Sequence, residues 1–172
     1  MFKIIVLVLI VILCSFIGYL YGEEFKKRYL ELSELMRSLI DMENEILYSY
    51  RPLPDVLAGI SNKSNGVVSN LFAEVSELLI RGDIDNVNSA FRYSLNNQKN
   101  EMAMTKEDFT IILDLSKSLG DTDITGQGQI FLLAKDKLDR VIDSAEKDYR
   151  TNCKMYKTLG IGIGVMIAIF LI

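Results

Sequence analysis

Two uncharged apolar segments lie near opposite ends of the chain, at residues 4–21 and 159–172. As a helix, the first reaches about 27 Å, close to the ~30 Å hydrocarbon core of a bilayer. The second reaches about 21 Å, which fits a short transmembrane span or an interfacial helix. Spanning is favoured, because Lys157 can extend its ammonium group toward the headgroups. We therefore predict an N-terminal transmembrane anchor at residues 1–22 and a C-terminal transmembrane segment at residues 157–172.

The first apolar segment also resembles the hydrophobic region of a signal peptide, with Lys3 as its basic flank. However, Cys14, Ser15 and Phe16 do not provide the pattern of small residues that signal peptidases require. Lipoprotein processing is disfavoured too, since Leu13 precedes Cys14 where a small residue is needed. The pattern therefore predicts an uncleaved anchor.

Between these segments, residues 23–156 show the apolar spacing of three and four that is typical of amphipathic helices, without strand-like alternation. The first stripe follows the N-terminal segment directly and continues to about Tyr50. The last begins near Thr125 and runs into the C-terminal segment. The predicted fold is all-α: an antiparallel bundle of about six helices between an N-terminal and a C-terminal transmembrane segment.

Breaks and caps set the ends of the predicted helices. The sequence Arg51-Pro52-Leu53-Pro54 ends the first helix, because a residue before proline is disfavoured in the α region. Gly82 is placed as the left-handed cap of the third helix, and Asp83 as the N-cap of the fourth. Thr105 and Asp108 approximate a capping box for the fifth.

Basic residues cluster on the inner flanks of both apolar segments, which predicts that residues 23–156 form a cytoplasmic domain. On the opposite side of the membrane, only Lys3 and the α-amine would carry positive charge. The flanking residues are Lys26, Lys27, Arg28, Arg150, Lys154 and Lys157.

Composition narrows the function classes. A hydrophobic content of 49% and a mean hydropathy of +0.21 are high for a soluble domain. The net charge of −4 argues against nucleic acid as a partner. Histidine is absent, which removes the commonest general base and metal ligand. Cys14 and Cys153 do not form a disulfide framework if one lies in the bilayer and the other in the cytoplasm. We predict no catalytic residues and no cofactor.

Residues 121–126 copy the first half of a calcium loop, with oxygen ligands at positions one, three and five and glycine at six. Position twelve is Leu132, where a bidentate glutamate is required. We therefore predict no metal site and interpret Asp121 or Asp123 as a cap of the last helix.

Two further patterns suggest contacts rather than chemistry. Glu43 and Glu45 are two apart on a helix and point in different directions, which favours a solvated flank or a partner contact over an acid–base pair. Gly160 and Gly164 form a GxxxG motif, which allows close packing of another helix in lipid.

The chain carries three short motifs in order: Glu43-Asn44-Glu45-Ile46 followed by Tyr48 and Pro52-Leu53-Pro54; Leu119-Gly120-Asp121-Thr122-Asp123 followed by Gln127; and Lys154-Met155-Tyr156-Lys157-Thr158-Leu159-Gly160 before an apolar terminus. Together they resemble the stage III sporulation protein AB family over essentially the whole chain. Each motif is weak alone, but their order and spacing make the resemblance specific.

The resemblance implies a non-enzymatic platform subunit of a secretion-like complex that joins the mother cell to the forespore. Its location would be the mother-cell membrane around the forespore, with the middle domain in the mother-cell cytoplasm. Implied partners are other membrane subunits of that channel and a hexameric secretion-type ATPase, with self-association left open. Apart from the resemblance, the basic residues beside the apolar segments could contact anionic membrane lipid. The alternative is a membrane-anchored signalling or tethering protein that binds some cytosolic partner. Positions that could contact the partner are Glu43, Glu45, Tyr48, Pro52, Asp123 and Gln127.

Overall fold

The computed structural model describes residues 2–49, 51–119 and 124–171; for residues 2–5, 124, 125 and 127 it describes the backbone alone. The described residues form six helices and no strand, so the all-α prediction is confirmed. The helices are α1 (Phe2–Tyr48), α2 (Leu53–Lys63), α3 (Gly66–Arg81), α4 (Val87–Gln98), α5 (Lys106–Ser118) and α6 (Ile124–Phe170).

The chain divides into two compact units. The hairpin unit contains α1 up to Tyr29 and α6 from Asp143 onward, and the bundle unit contains Leu30–Ile142. This division reflects which residues pack against each other. The predicted boundaries at residues 22 and 156 mark where the chain would enter a membrane, and they stay predictions.

The core of the bundle unit is built on the apolar stripe of α1. Leu32, Leu35, Leu39 and Met42 follow each other at spacings of three and four, and each is at most 1% exposed. The helices α2 to α5 pack consecutively, each against the next. Their fully buried large side chains include Leu57, Ile60, Leu71, Phe72, Phe91 and Ile112, and α6 adds Phe131 and Leu138.

Two predicted caps are confirmed and one is wrong. Gly82 ends α3 with a φ of +71°, and Thr105 forms a reciprocal capping box with Asp108 at the start of α5. Asp83 does not cap α4, because α4 begins only at Val87; the backbone N–H of Asp83 instead donates to the carbonyl of Leu78 at the end of α3. The N-cap is Asn86, whose side chain accepts from the backbone N–H of the third residue into the helix. Asp121 and Asp123 lie outside the described residues.

In the hairpin unit, α1 and α6 pack antiparallel with their backbones in contact. A Cβ atom on Gly160 would lie 2.8 Å from the carbonyl oxygen of Cys14 and 3.1 Å from the Cα of Gly18. One on Gly164 would lie 3.0 Å from the Cα of Val11. Both glycines of the GxxxG motif therefore face the first helix of their own chain.

Aromatic rings stack where the hairpin leaves its apolar part. Tyr156 stacks on Tyr21 and on Phe25, with centroids 6.0 Å and 5.7 Å away, and Tyr29 stacks on Tyr149 at 6.1 Å. Aromatic belts of this kind are enriched at membrane interfaces. Both long helices are long and apolar enough to cross a membrane, which indicates membrane association.

Candidate partner-binding site

Within the bundle unit, the end of α1 meets the start of α6 and the end of α2. A Cβ on Gly128 would lie 3.9 Å from Cδ1 of Leu47, which places α6 beside the last turn of α1. Glu45, also near the end of α1, accepts from the ammonium of Lys63 at the end of α2. We name this region, which holds Glu43, Glu45, Tyr48 and Pro52, the candidate partner-binding site.

Glu43 is committed to a contact within the bundle. Its carboxylate pairs with the ammonium of Lys135 on α6, and the two side chains are 16% and 28% exposed. The pair fixes α6 against α1. A carboxylate held in this way has little freedom to meet another protein.

Glu45 is the centre of a small ion cluster. Its carboxylate lies 3.2 Å from Nζ of Lys63 and 3.7 Å from Nη1 of Arg51. The hydrogen bond from Lys63 lowers the pKa of Glu45, helped by the positive charges of Lys63 and Arg51. The carboxyl group is therefore ionised at neutral pH, and it ties α2 and the turn before it to α1.

Tyr48 and Pro52 are the exposed members of the site. The side chain of Tyr48 is 77% exposed and makes no hydrogen bond with the described part of the chain. Pro52 is exposed and precedes α2, where its carbonyl oxygen accepts from the N–H groups of Asp55 and Val56. Pro52 thus starts a helix and also contributes surface.

The structure places only some of the predicted partner-contact residues close together. The backbone of Gln127 lies at the start of α6, next to Gly128 and hence near the end of α1. The side chain of Gln127 and all of Asp123 lie outside the described residues.

The cations that hold the two glutamates were not predicted from the sequence. Lys135 lies 92 residues from Glu43 and Lys63 lies 18 residues from Glu45, so helical spacing could not reveal either pair. Among the described residues no group of three or more His, Cys, Asp or Glu side chains could hold a metal ion.

The pair between Glu43 and Lys135 is expected to stabilise the bundle. Replacing Glu43 by glutamine should lower the free energy of unfolding by about 1–2 kcal/mol, because it weakens a part-buried, charge-assisted hydrogen bond. Unfolding of the full-length protein in detergent, followed by helicity, measures the loss. A double-mutant cycle with Lys135→Met isolates the pair, and a coupling energy near zero would contradict this role.

The fold defines a class: an all-helical protein with a helical bundle and two long helices able to cross a membrane. The family model of stage III sporulation protein AB matches residues 3–172. The chain therefore belongs to the stage III sporulation protein AB family, as the sequence motifs predict.

Individual relatives agree with this assignment. The chain is 26% identical over 171 residues to stage III sporulation protein AB of Bacillus subtilis (strain 168), which covers 99% of each protein. A solved structure of stage III sporulation protein AB superposes with a TM-score of 0.66, over 72% of this chain and 96% of that one. At 24% identity, that likeness shows the shared fold.

Proposed function

We propose that this protein is a non-enzymatic, membrane-anchored subunit of the stage III sporulation machinery, and that its bundle unit binds a cytosolic partner through the candidate partner-binding site. The observation that carries the proposal is Tyr48, whose aromatic ring is 77% exposed at the end of a long, well-packed helix. The family assignment supports a role in sporulation.

Tyr48 has the properties of an interface anchor. Tyrosine is enriched among the residues that contribute most binding energy, because it buries a large area and loses little conformational entropy. The surrounding helix ends are held by the pairs of Glu43 and Glu45, so the surface around the ring is preorganised. Arg51 and Lys63, each about half exposed, add positive charge that suits an acidic surface.

We propose that the partner is a hexameric secretion-type ATPase, as the resemblance to a secretion platform implies. The basic flanks of the apolar segments support a bundle in the mother-cell cytoplasm, where such an ATPase would act. The hairpin unit would meanwhile contact other membrane subunits of the channel that joins mother cell and forespore.

The alternative function is a membrane-anchored tether that holds a different cytosolic protein. It uses the same surface of Tyr48 and Pro52, and it requires no motor. The identity of the protein bound at Tyr48 separates the two functions.

Site-specific photo-crosslinking in sporulating cells tests the proposal. The full-length protein should carry a benzophenone amino acid at Tyr48, or at Tyr93 on α4 as the matched control, since Tyr93 is 49% exposed. We expect a crosslinked ATPase from position 48 and none from position 93. Tyr48→Ala should reduce recovery of the ATPase by about tenfold or more, in line with loss of an interface anchor.

The outcomes are distinct. A cytosolic protein without ATPase sequence, captured only from position 48, would favour the tether. Equal adducts from both positions, or adducts with membrane subunits only, would contradict a partner-binding role for this surface.

A further inference from the structure

The hairpin unit carries an open groove of about 490 Å³ between α1 and α6, which neither the proposed function nor the family assignment uses. Val11 and Phe16 of α1 and Ile161 of α6 form its apolar walls. Tyr19 and Lys157 lie at one end. The groove is therefore apolar along most of its length and carries a positive charge at one end.

The serine in the apolar part of the groove is already hydrogen-bonded. The hydroxyl of Ser15, which lines it, donates to the carbonyl oxygen of Val11 at 2.8 Å. A water molecule entering here would find few partners, whereas a hydrocarbon chain would bury apolar surface on both helices.

A second open depression, of about 440 Å³, continues from the cationic end. It shares Lys157 and Ile161 with the groove and adds Arg150 and Lys154 from the same face of α6. The ammonium of Lys154 has no carboxylate partner among the described residues. From Tyr149 to the end of the chain there is no acidic residue, although the whole chain has a net charge of −4.

The order of these groups matches a lipid that lies along the helices. From Tyr19 to Val11 the groove descends about 12 Å, at 1.5 Å per residue. Lys157 lies 4.5 Å from the centre of the Tyr19 ring and 3.3 Å from the carboxylate of Glu23. Aromatic and basic side chains of this kind mark the headgroup level, so the apolar part of the groove points toward the bilayer interior.

We propose that this groove binds an anionic phospholipid, with its headgroup phosphate held by Lys154 and Lys157 and one acyl chain between Phe16 and Ile161. Lys154 supplies the free positive charge, and the groove supplies apolar contact along the chain. The site rests on the membrane association of the hairpin unit and is independent of any partner of the bundle unit.

Native mass spectrometry of the full-length protein tests this proposal. The protein, in neutral detergent, is titrated with phosphatidylglycerol or with phosphatidylcholine of the same acyl chains. We expect phosphatidylglycerol to be retained preferentially. Lys154→Gln should weaken its binding about fivefold and leave phosphatidylcholine unchanged, the loss expected from one membrane-proximal charge.

Two further variants make the test specific. Lys147→Gln removes an exposed charge two turns away on the same helix and should keep the preference. Ser15→Phe fills the groove with an apolar ring and should reduce retention of both lipids. Measured helicity confirms that each variant is folded.

Either of two results would overturn the proposal: equal effects of Lys154→Gln and Lys147→Gln, or unchanged lipid retention in Ser15→Phe. Protein dimers that form without lipid and disappear in Ser15→Phe would also overturn it, because they would identify a second copy of the chain as the occupant.

Discussion

Replacing Gly160 by valine is expected to open the hairpin unit, while the same change at Gly162 leaves it closed. A Cβ on Gly160 would lie 2.8 Å from a backbone oxygen and 3.1 Å from a backbone carbon of α1, neither of which can move without moving the helix. Apart from its chain neighbours and the nearby backbone of its own helix, no described atom lies within 4 Å of the corresponding position on Gly162. Both glycines lie in the apolar C-terminal part of α6, so Gly162→Val is a matched control for Gly160→Val.

The buried thiol of Cys153 reports this opening. It is 8% exposed and would lie 3.4 Å from a Cβ on Gly22 of α1. The test uses a Cys14→Ala background and a water-soluble maleimide. The rate at which Cys153 is modified should rise about tenfold or more in Gly160→Val, which corresponds to a loss of ~1.4 kcal/mol in the free energy of hairpin closure. Equal rates in the Gly160 and Gly162 variants would show that backbone contact does not hold the hairpin together.

Replacing Glu31 by alanine should lower the free energy of unfolding by about 3 kcal/mol. The carboxylate is 8% exposed and accepts from the backbone N–H groups of Ala103 at 2.7 Å and Met104 at 3.2 Å. These residues lie in the connection before α5. Without the carboxylate, part-buried donors lose a charged acceptor, and such losses cost ~1–3 kcal/mol each.

Urea unfolding of the full-length protein in detergent measures this effect, with Glu77→Ala as the control. Glu77 is 64% exposed and pairs with Arg81 within α3, so its loss should cost only ~0.3–0.5 kcal/mol. If both variants lose the same stability, Glu31 does not anchor the connection. Faster hydrogen exchange at Ala103 and Met104 in Glu31→Ala would locate the loss there.

Local rules predicted most of the helices because the relevant signals lie within a few residues of each other. The stripe from Leu32 to Met42 is a matter of helical spacing, and the structure buries it. The capping box needs only Thr105 and Asp108, and the left-handed cap needs only Gly82. Such signals do not depend on how the chain folds back on itself.

Contacts between distant segments could not be predicted in the same way. Glu31 looks like one more charge on an amphipathic helix, and its two N–H partners are more than 70 residues away. Gly18 and Gly22 are spaced as a second GxxxG pattern, but the contact of Gly18 with Gly160 depends on the register of α1 against α6. The predicted Asp83 cap was wrong because the turn after α3 extends to Asn86, which occupies the N-cap position of α4.

The candidate partner-binding site also depends on contacts between distant segments that the sequence could not predict. The resemblance grouped Glu43, Glu45 and Tyr48 as possible contact positions, but the structure separates them by role. The two glutamates join helices through Lys135 and Lys63, and Tyr48 stays exposed. Motif resemblance alone does not distinguish a residue that supports a surface from one that forms it.

The stacked rings of the hairpin unit make its closure visible to spectroscopy. The chain has no tryptophan, so its near-ultraviolet circular dichroism arises mainly from eight tyrosines. Four of them, Tyr21, Tyr29, Tyr149 and Tyr156, are held in ring stacks, whereas Tyr48 and Tyr93 are exposed and stack on no ring among the described residues. Rotational averaging weakens the signal of rings that are not held by such contacts. The near-ultraviolet spectrum therefore follows the hairpin and the far-ultraviolet spectrum follows all helices, so that one heated sample can show whether the two units melt together.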